Sequence, residues 1–380
     1  MKICAIICEY NPFHNGHLYQ IQEAKRLSGA DAILCIMSGN FVQRGESAII
    51  NKFTRAKHAV LSGADAVIEL PTIFATSNAE LFAKGAIHIL SSIPSVSTLC
   101  FGCENADKEM FLNAAKLLNN EPKEISEKIK TLMASGISYA KARAQAWNNA
   151  IPDEFLNCPN NILGLEYTKA ILSKKASIDI LPIQRMGAGY NENTLNEVFS
   201  SASAIRNNLD NKIQLKNQLP DYVLADLPAK HNDNLDMLEK YAILYRSKDE
   251  IAKVCDCNEG LENAFKKAAN ANSTLCEALT SARYTSSRIR RIALQNLLNI
   301  EEDLIRNALT SALFLRVLAI RNSRQDLLTA LSESAFTLII RARDEEKLPM
   351  ETQPYYERDI FAEKVFNLMY PTPTDKNIFI

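Results

Sequence analysis

No apolar run in this sequence approaches the length of a membrane span. Runs such as AIIC and AILCIM are sized for buried strands. Neither sign of charge is in excess: 43 Lys and Arg face 44 Asp and Glu, for a formal net charge of −1. The field of the whole chain therefore favours no polyanion, and any nucleic-acid surface has to be a local patch. The opening MKICAIICEYNPFH has one Lys followed by a short apolar run. It lacks the longer apolar stretch and small-residue cleavage site of a secretory signal, so the chain reads as cytoplasmic. There is no internal repeat, low-complexity tract or long charge run. The cysteines number nine, an odd count. Cys100 and Cys103 form a CxxC and Cys255 and Cys257 a CxC, but the spacing fits no familiar zinc site. They read as reduced, small buried hydrophobes, and no protein metal ligand is expected.

What is present is a chain of 380 residues with 47% hydrophobic content, long enough for two domains. Short apolar strands at 2–8, 32–37, 66–70, 96–101 and 178–183 alternate with helical stretches. That alternation predicts an α/β fold: a doubly wound parallel sheet of about five strands. Beyond about residue 215 helix-period segments dominate, roughly 235–247, 259–270, 284–298, 302–319 and 357–369. One late stretch, AFTLII at 335–340, is a candidate strand. The expected division is a nucleotide-binding region at 1–215 and a mostly α-helical region at 216–380.

The first strand is followed by His14-Asn15-Gly16-His17. In open α/β sheets ligands sit at the carboxyl ends of strands, beside helix N-termini. Such a terminus offers free N–H groups and partial positive charge, which favour phosphate. Gly16, lacking a Cβ, lets a phosphate or base approach the backbone. His14 and His17, three apart, can face one ligand from a helical turn and donate to phosphate oxygens. The alternatives are a cap, a surface residue or a metal ligand. The last lacks a third ligand at a zinc spacing. A second grip should follow at a late helix start, and SSASAIR supplies Ser201, Ser203 and Arg206 there. Its hydroxyls can hold β- and γ-phosphates, and the Arg can offset charge developing on pyrophosphate.

An early HxGH paired with a late SxSxxR resembles the HIGH-type nucleotidylyltransferase superfamily, whose chemistry is attack on the α-phosphate of ATP. Further stretches narrow the resemblance: EYNPFHNGH, SGNFVQRGE, GADAVIELP, FGCE, PNNILGLEY, IQRMGAGY, EGLENAFKKAA, RYTSSRIRRIALQNLL and DIFAEKVFNLMY. Together they resemble the bacterial tRNA(Met) cytidine acetate ligases over nearly the whole chain.

That resemblance implies an enzyme using ATP, with Mg²⁺ accompanying the phosphates, to activate acetate as acetyl-adenylate. Acetyl then passes to the exocyclic amine of the wobble cytidine of elongator tRNA(Met), giving N(4)-acetylcytidine. By the same resemblance the ATP site comprises Ile7, Cys8, Glu9, Tyr10, Asn11, Pro12, Phe13, His14, Asn15, Gly16, His17, Leu18, Tyr19 and Gln20, with Gly102, Asn161 and Arg185. Asn160 stands beside Asn161 as a substitute. His14, His17, Ser203 and Arg206 are the expected catalytic residues. Gly102 reads as a close approach to the nucleotide or as an ordinary turn. Asn161 reads as a nucleotide contact or a cap, and Arg185 as a phosphate partner or an exposed charge. Lys52, Arg55 and Lys57 read as phosphate contacts or a solvated face.

From 281 to 324 the chain has eight Arg, no Lys and three acids. Arg283, Tyr284, Arg288, Arg290 and Arg291 are the expected tRNA-binding residues, with Arg gripping phosphate and Tyr284 stacking on a base. On one continuous helix, 283, 287, 290 and 291 would share a face and 288 would lie off it. Where relatives tend to carry Lys-Arg-Tyr-Thr this chain has Ala282-Arg283-Tyr284-Thr285. It also has SASAIR for SATAIR and FGCE for FGSE. Two other readings compete: a small-molecule cofactor adenylyltransferase without RNA, and a non-catalytic RNA-binding protein. The Arg-rich half argues against the first, and the intact HxGH and SxSxxR against the second.

Overall fold

The computed structural model describes residues 1–147, 150–186, 199–229, 234–371 and 377–380. The GAGY end of IQRMGAGY lies outside them. In chain order the strands are β1 (Ile3–Cys8), β2 (Ala32–Ser38), a small hairpin of β3 (Phe41–Val42) and β4 (Glu46–Ser47), β5 (Ala66–Leu70), β6 (Val96–Cys103), β7 (Asp179–Gln184), β8 (Phe314–Ile320) and β9 (Thr337–Ile339). The main sheet runs β7-β6-β1-β2-β5-β8-β9. The five expected strands all form and pair in parallel. Two more join from the later chain. β8 pairs antiparallel with β5, and β9 parallel with β8. The sheet therefore has seven strands, not five, and is mostly parallel.

The apolar runs are continuous because the central strands are buried on both faces. Side chains alternate along a strand, so Ile3, Ala5 and Ile7 of β1 enter one core while Cys4, Ile6 and Cys8 enter the other. The first core is covered by three helices among others: Ala79–Leu90, Pro159–Lys174 and Gln353–Met369. The second is covered by α1 (Asn15–Ser28), α2 (Lys52–Leu61) and residues such as Leu215, Leu219 and Val223. Cys100 and Cys103 point into opposite cores, which a metal knuckle could not do. Cys255 and Cys257 are also buried.

The expected helix at 302–319 is a correction. A helix covers only Glu302–Ala308, and Phe314–Ile320 is strand. FLRVLAI has few β-branched residues and no Gly or Pro to announce the change. The open edge of β5 overrides its local preference. The late candidate strand at 335–340 forms over Thr337–Ile339. A separate small core of helical segments gathers Ile243, Ile251, Leu261, Phe265, Ile289 and Ile292.

Candidate active site

The carboxyl ends of β1, β6 and β7 meet where chain order reverses across the sheet, between β1 and β6. That reversal opens a crevice in doubly wound folds. A cavity of about 210 Å³ lies there, lined by the end of β1, both histidines, Gly102, Arg185, Ser203 and Arg206. Phe82, Phe101, Leu163 and Tyr167 form an apolar wall, and Gln43, Arg44 and Glu46 of the hairpin form a polar one.

The histidine pair is built by the helix start. His14 caps α1, its Nδ1 accepting the Gly16 N–H at 3.1 Å. The His14 N–H in turn donates to His17 Nδ1 at 3.3 Å. This reciprocal cap stacks the two rings, 3.7 Å between centroids and 24° between planes. Tyr10 and Phe13 hold the His17 ring from its edges. Burial pushes the His14 pKa down to about 3, with Arg185 and Arg206 adding to the effect. Burial also pushes His17 well below its ordinary value, helped by His14 and Arg185. Both rings are therefore neutral near pH 7. Since each Nδ1 accepts a backbone proton, the ring proton sits on Nε2. Among the described residues nothing accepts from either Nε2, so two donors remain for a ligand.

Two details differ from the expected phosphate cradle. The first backbone N–H groups of α1 are already used: Asn15 donates to Gln218 O, Gly16 to His14 Nδ1 and His17 to His14 O. A phosphate would meet side-chain donors more than backbone ones. Gly16 is required by the cap itself, since a Cβ there would come within 2.9 Å of the His14 ring.

The cations are arranged unequally. Arg185, following β7, lines the cavity, and no described residue hydrogen-bonds its guanidinium. Burial lowers its pKa while Glu104 pulls it back. Arg206 ends α3 (Ala202–Arg206), a helix capped by Ser201. It donates to Asn11 O at 2.8 Å and Ser203 Oγ at 3.3 Å, and pairs with Glu46 at 3.6 Å. That helix is too short for a substantial dipole, so its contribution lies in these side chains.

Of the run from Ile7 to Gln20, Ile7, Cys8, Glu9, Tyr10, Asn11, His14, His17 and Gln20 line the cavity. Gly16 and Tyr19 line an adjoining one. Pro12, Phe13, Asn15 and Leu18 line neither. Phe13 is core, Leu18 packs on it, and Asn15 Nδ2 donates to Asn217 O. Gly102 has only ordinary contact room, its added Cβ 3.5 Å from Arg185 Cγ, so nothing in the protein demands glycine there. Asn161 is fully buried and committed: Oδ1 accepts from Glu104 N and Asn105 N, and Nδ2 donates to Glu154 O. Its neighbour Asn160 lines the cavity instead.

Lys52 and Arg55 belong to neither ATP nor RNA surface. Lys52 is buried against Glu69 at 2.7 Å and Glu363 at 3.2 Å, and Arg55 is buried against the carbonyls of Glu9, Ser38, Gly39 and Ile50. Lys57 is exposed. Sequence reasoning missed Gln43, Arg44 and Glu46 as site residues, although they lie in SGNFVQRGE, one of the stretches that carry the resemblance. The signal was the Gln-Arg-Gly tip between two short apolar-to-polar stretches.

The Arg-rich segment is not one helical face. Thr285 caps α4 (Ser286–Leu298), so Arg283 and Tyr284 precede the helix. Arg283 pairs with Glu259 at 2.8 Å, and both Arg283 and Arg288 lie over the Tyr284 ring, at 5.7 and 5.0 Å. Arg288 thus joins Arg283 at a separate cavity shared with Tyr139. Arg290 pairs with Glu46 of the hairpin, and Arg291 lies 3.8 Å from Asp256. These two arginines face the first cavity's wall and the interior.

A HIGH Nucleotidyl Transferase family model matches residues 1–378. The tRNA(Met) cytidine acetate ligase of Caldanaerobacter subterraneus is 37% identical over 97% of this chain and 96% of its own length. That of Clostridium novyi is 41% identical over 79% of this chain and 80% of its own. The crystal structure of apo Thermotoga maritima TmcAL superposes with a TM-score of 0.90 at 29% identity, over 98% of this chain and 96% of that one. The same protein bound with alpha-thio ATP gives 0.87 at 28% identity over the full length of both. With relatives this similar along nearly its whole length, the chain belongs to the tRNA(Met) cytidine acetate ligase family of HIGH nucleotidyltransferases.

Proposed function

We propose that the protein is a tRNA(Met) cytidine acetate ligase that binds ATP in the cavity at the ends of β1, β6 and β7. The observation that carries this is the stacked neutral pair His14 and His17, with both Nε2 protons unclaimed by described residues, opposite Arg185. Acetate attacks the α-phosphate of ATP and pyrophosphate leaves. The His14 and His17 Nε2–H groups donate to phosphate oxygens, and Arg185 and Arg206 offset charge on the departing pyrophosphate. Neutral imidazoles suit this role, because they donate without competing for the proton. Ser203 orients Arg206 through its Oγ. The apolar wall of Phe82, Phe101, Leu163 and Tyr167 limits water at the acyl-adenylate.

Mg²⁺ accompanying the triphosphate would be held by phosphate oxygens and water and would offset phosphate charge there. Of the residues expected to bind ATP, those lining the cavity other than Glu9 are the proposed contacts, with Asn160 at the place given to Asn161. Arg283, Tyr284 and Arg288 are proposed to meet tRNA phosphate and base, while Arg290 steadies the hairpin between that surface and the cavity.

The test is transfer of labelled acetate to tRNA from cells lacking the modification, with ATP present and CoA absent. Label in tRNA(Met) that requires ATP is the expected result. Acetate-dependent ATP–pyrophosphate exchange without label would move the acceptor to another molecule. Absence of both activities would overturn the acetate assignment.

A further inference from the structure

Among the described residues two carboxylates line the cavity, Glu9 and Glu46. Glu46 stands between Arg206 and Arg290. Glu9 is held differently. Its Oε1 accepts the Gln43 N–H at 2.7 Å, and no described residue donates to Oε2. Its own backbone carbonyl is clamped by the buried Arg55. A free carboxylate oxygen in a cavity otherwise suited to a triphosphate repels that ligand, so it needs a use of another kind. Gln43, which fixes Oε1, belongs to the hairpin whose tip rests on α4. Gly45 packs so closely there that an added Cβ would lie 2.5 Å from the Arg291 nitrogen. Glu9 therefore stands at the wall between the cavity and the arginine-bearing helix.

The second half of the reaction lacks a proton acceptor. The exocyclic amine of cytidine shares its lone pair with the ring and is a weak nucleophile. Its adduct with a carbonyl must lose a proton. We propose that Glu9 is the general base of acetyl transfer, which rests on the ligase reading above. Nitrogen attacks the acetyl carbonyl carbon of the acyl-adenylate and the C–N bond forms. The C–O bond to the α-phosphate breaks, AMP leaves with that electron pair, and Glu9 Oε2 takes the amine proton before passing it to solvent. Burial raises the proton affinity of Glu9 above that of an ordinary carboxylate, against the Gln43 N–H bond and the charges of Arg44, Arg206 and Arg55. Tyr167 also faces it. A carboxylate displaced toward neutrality is the better base there.

The experiment compares wild type, Glu9→Gln and Glu9→Asp in two assays across pH. One is acetate-dependent ATP–pyrophosphate exchange. The other is single-turnover transfer from preformed acetyl-adenylate to tRNA(Met). Glu9→Gln keeps an acceptor for Gln43, so it should lower transfer at least about 100-fold more than it lowers exchange. It should also erase the acid limb of the transfer–pH profile, which Glu9→Asp keeps at a reduced rate. Transfer at the wild-type rate in Glu9→Gln overturns the inference. So does an equal fall in both assays, which would mark Glu9 as a support or a Mg²⁺ ligand. A wild type without exchange overturns the ligase reading instead, and the inference with it.

Discussion

The cavity and the start of α4 are both rich in cations, and they treat them in opposite ways. Around the cavity, Arg185 has no hydrogen-bonded acid among the described residues, and two histidines are held neutral with donors unclaimed. At α4, Arg283, Arg290 and Arg291 each face an acid: Glu259, Glu46 and Asp256. A count of arginines therefore overstates the positive surface of the later chain and understates that of the cavity. Charge becomes available to an anion only where the fold withholds a partner.

The sharpest break between the two regions should come from the cavity. Arg185→Ala should reduce acetate-dependent exchange by about 10²–10³-fold, the usual cost of losing a preorganised donor at developing charge. Arg291→Ala should act mainly on thermal stability, because its guanidinium is largely covered beside Asp256. Equal losses of exchange in the two variants would dissolve the distinction.

The hairpin joins the two regions, so damage there should reach both. Gly45 has φ of +73°, and its Cβ position falls 2.5 Å from Arg291 N and 2.6 Å from Arg290 C. Those are backbone atoms of a capped helix and cannot move cheaply. Gly45→Ala should cost about 1–3 kcal/mol by chemical denaturation. It should also weaken exchange, by shifting Glu46 from Arg206. A neutral substitution would mean that the hairpin does not dock on α4 in solution.

Acid should act on the cavity more than on α4. The sign follows from His14, whose pKa of about 3 in the fold is below its unfolded value of about 6.5. The unfolded chain then binds more protons, so stability is full above about pH 6.5 and falls between there and pH 3. At pH 5 this one group costs about 2 kcal/mol. His14→Gln should flatten the decline in unfolding midpoint between pH 7 and pH 5. A mutant that declines as steeply as wild type would assign the acid sensitivity to other groups.

The parallel strands were legible because burial on both faces writes them as unbroken apolar runs, as in AIIC and AILCIM. The place of His14 and His17 was legible for the same reason, since a strand end followed by a glycine-bearing helix start is a local pattern. What escaped was non-local. Phe314–Ile320 is a strand because β5 offers it an edge, and the residues themselves do not announce it. Lys52 and Arg55 look like surface cations in sequence, yet Glu69, Glu363 and backbone carbonyls draw them inside. Asn161 read in sequence as a nucleotide contact or a cap; its hydrogen bonds hold the Glu104–Asn105 turn, and Asn160 lines the cavity.

The smallest effect is the one that most directly tests the α4 side. Arg283 is exposed and lies before the helix, with Glu259 and Tyr284 as its partners. An exposed pair of this kind adds little to stability, since solvent screens it and both side chains lose freedom. Arg283→Ala should therefore leave the unfolding midpoint where it is. If the Arg283, Tyr284 and Arg288 surface receives RNA, the Glu259 pair is exchanged for a phosphate on binding. Affinity for tRNA(Met) should then fall, and the slope of log affinity against log salt should shrink by about 0.7–0.9, the share of one phosphate contact. The companion variant Glu259→Gln should strengthen binding, because it removes the competitor for the same guanidinium. A slope that stays unchanged in Arg283→Ala would leave that arginine as surface charge and move the RNA path nearer to the hairpin.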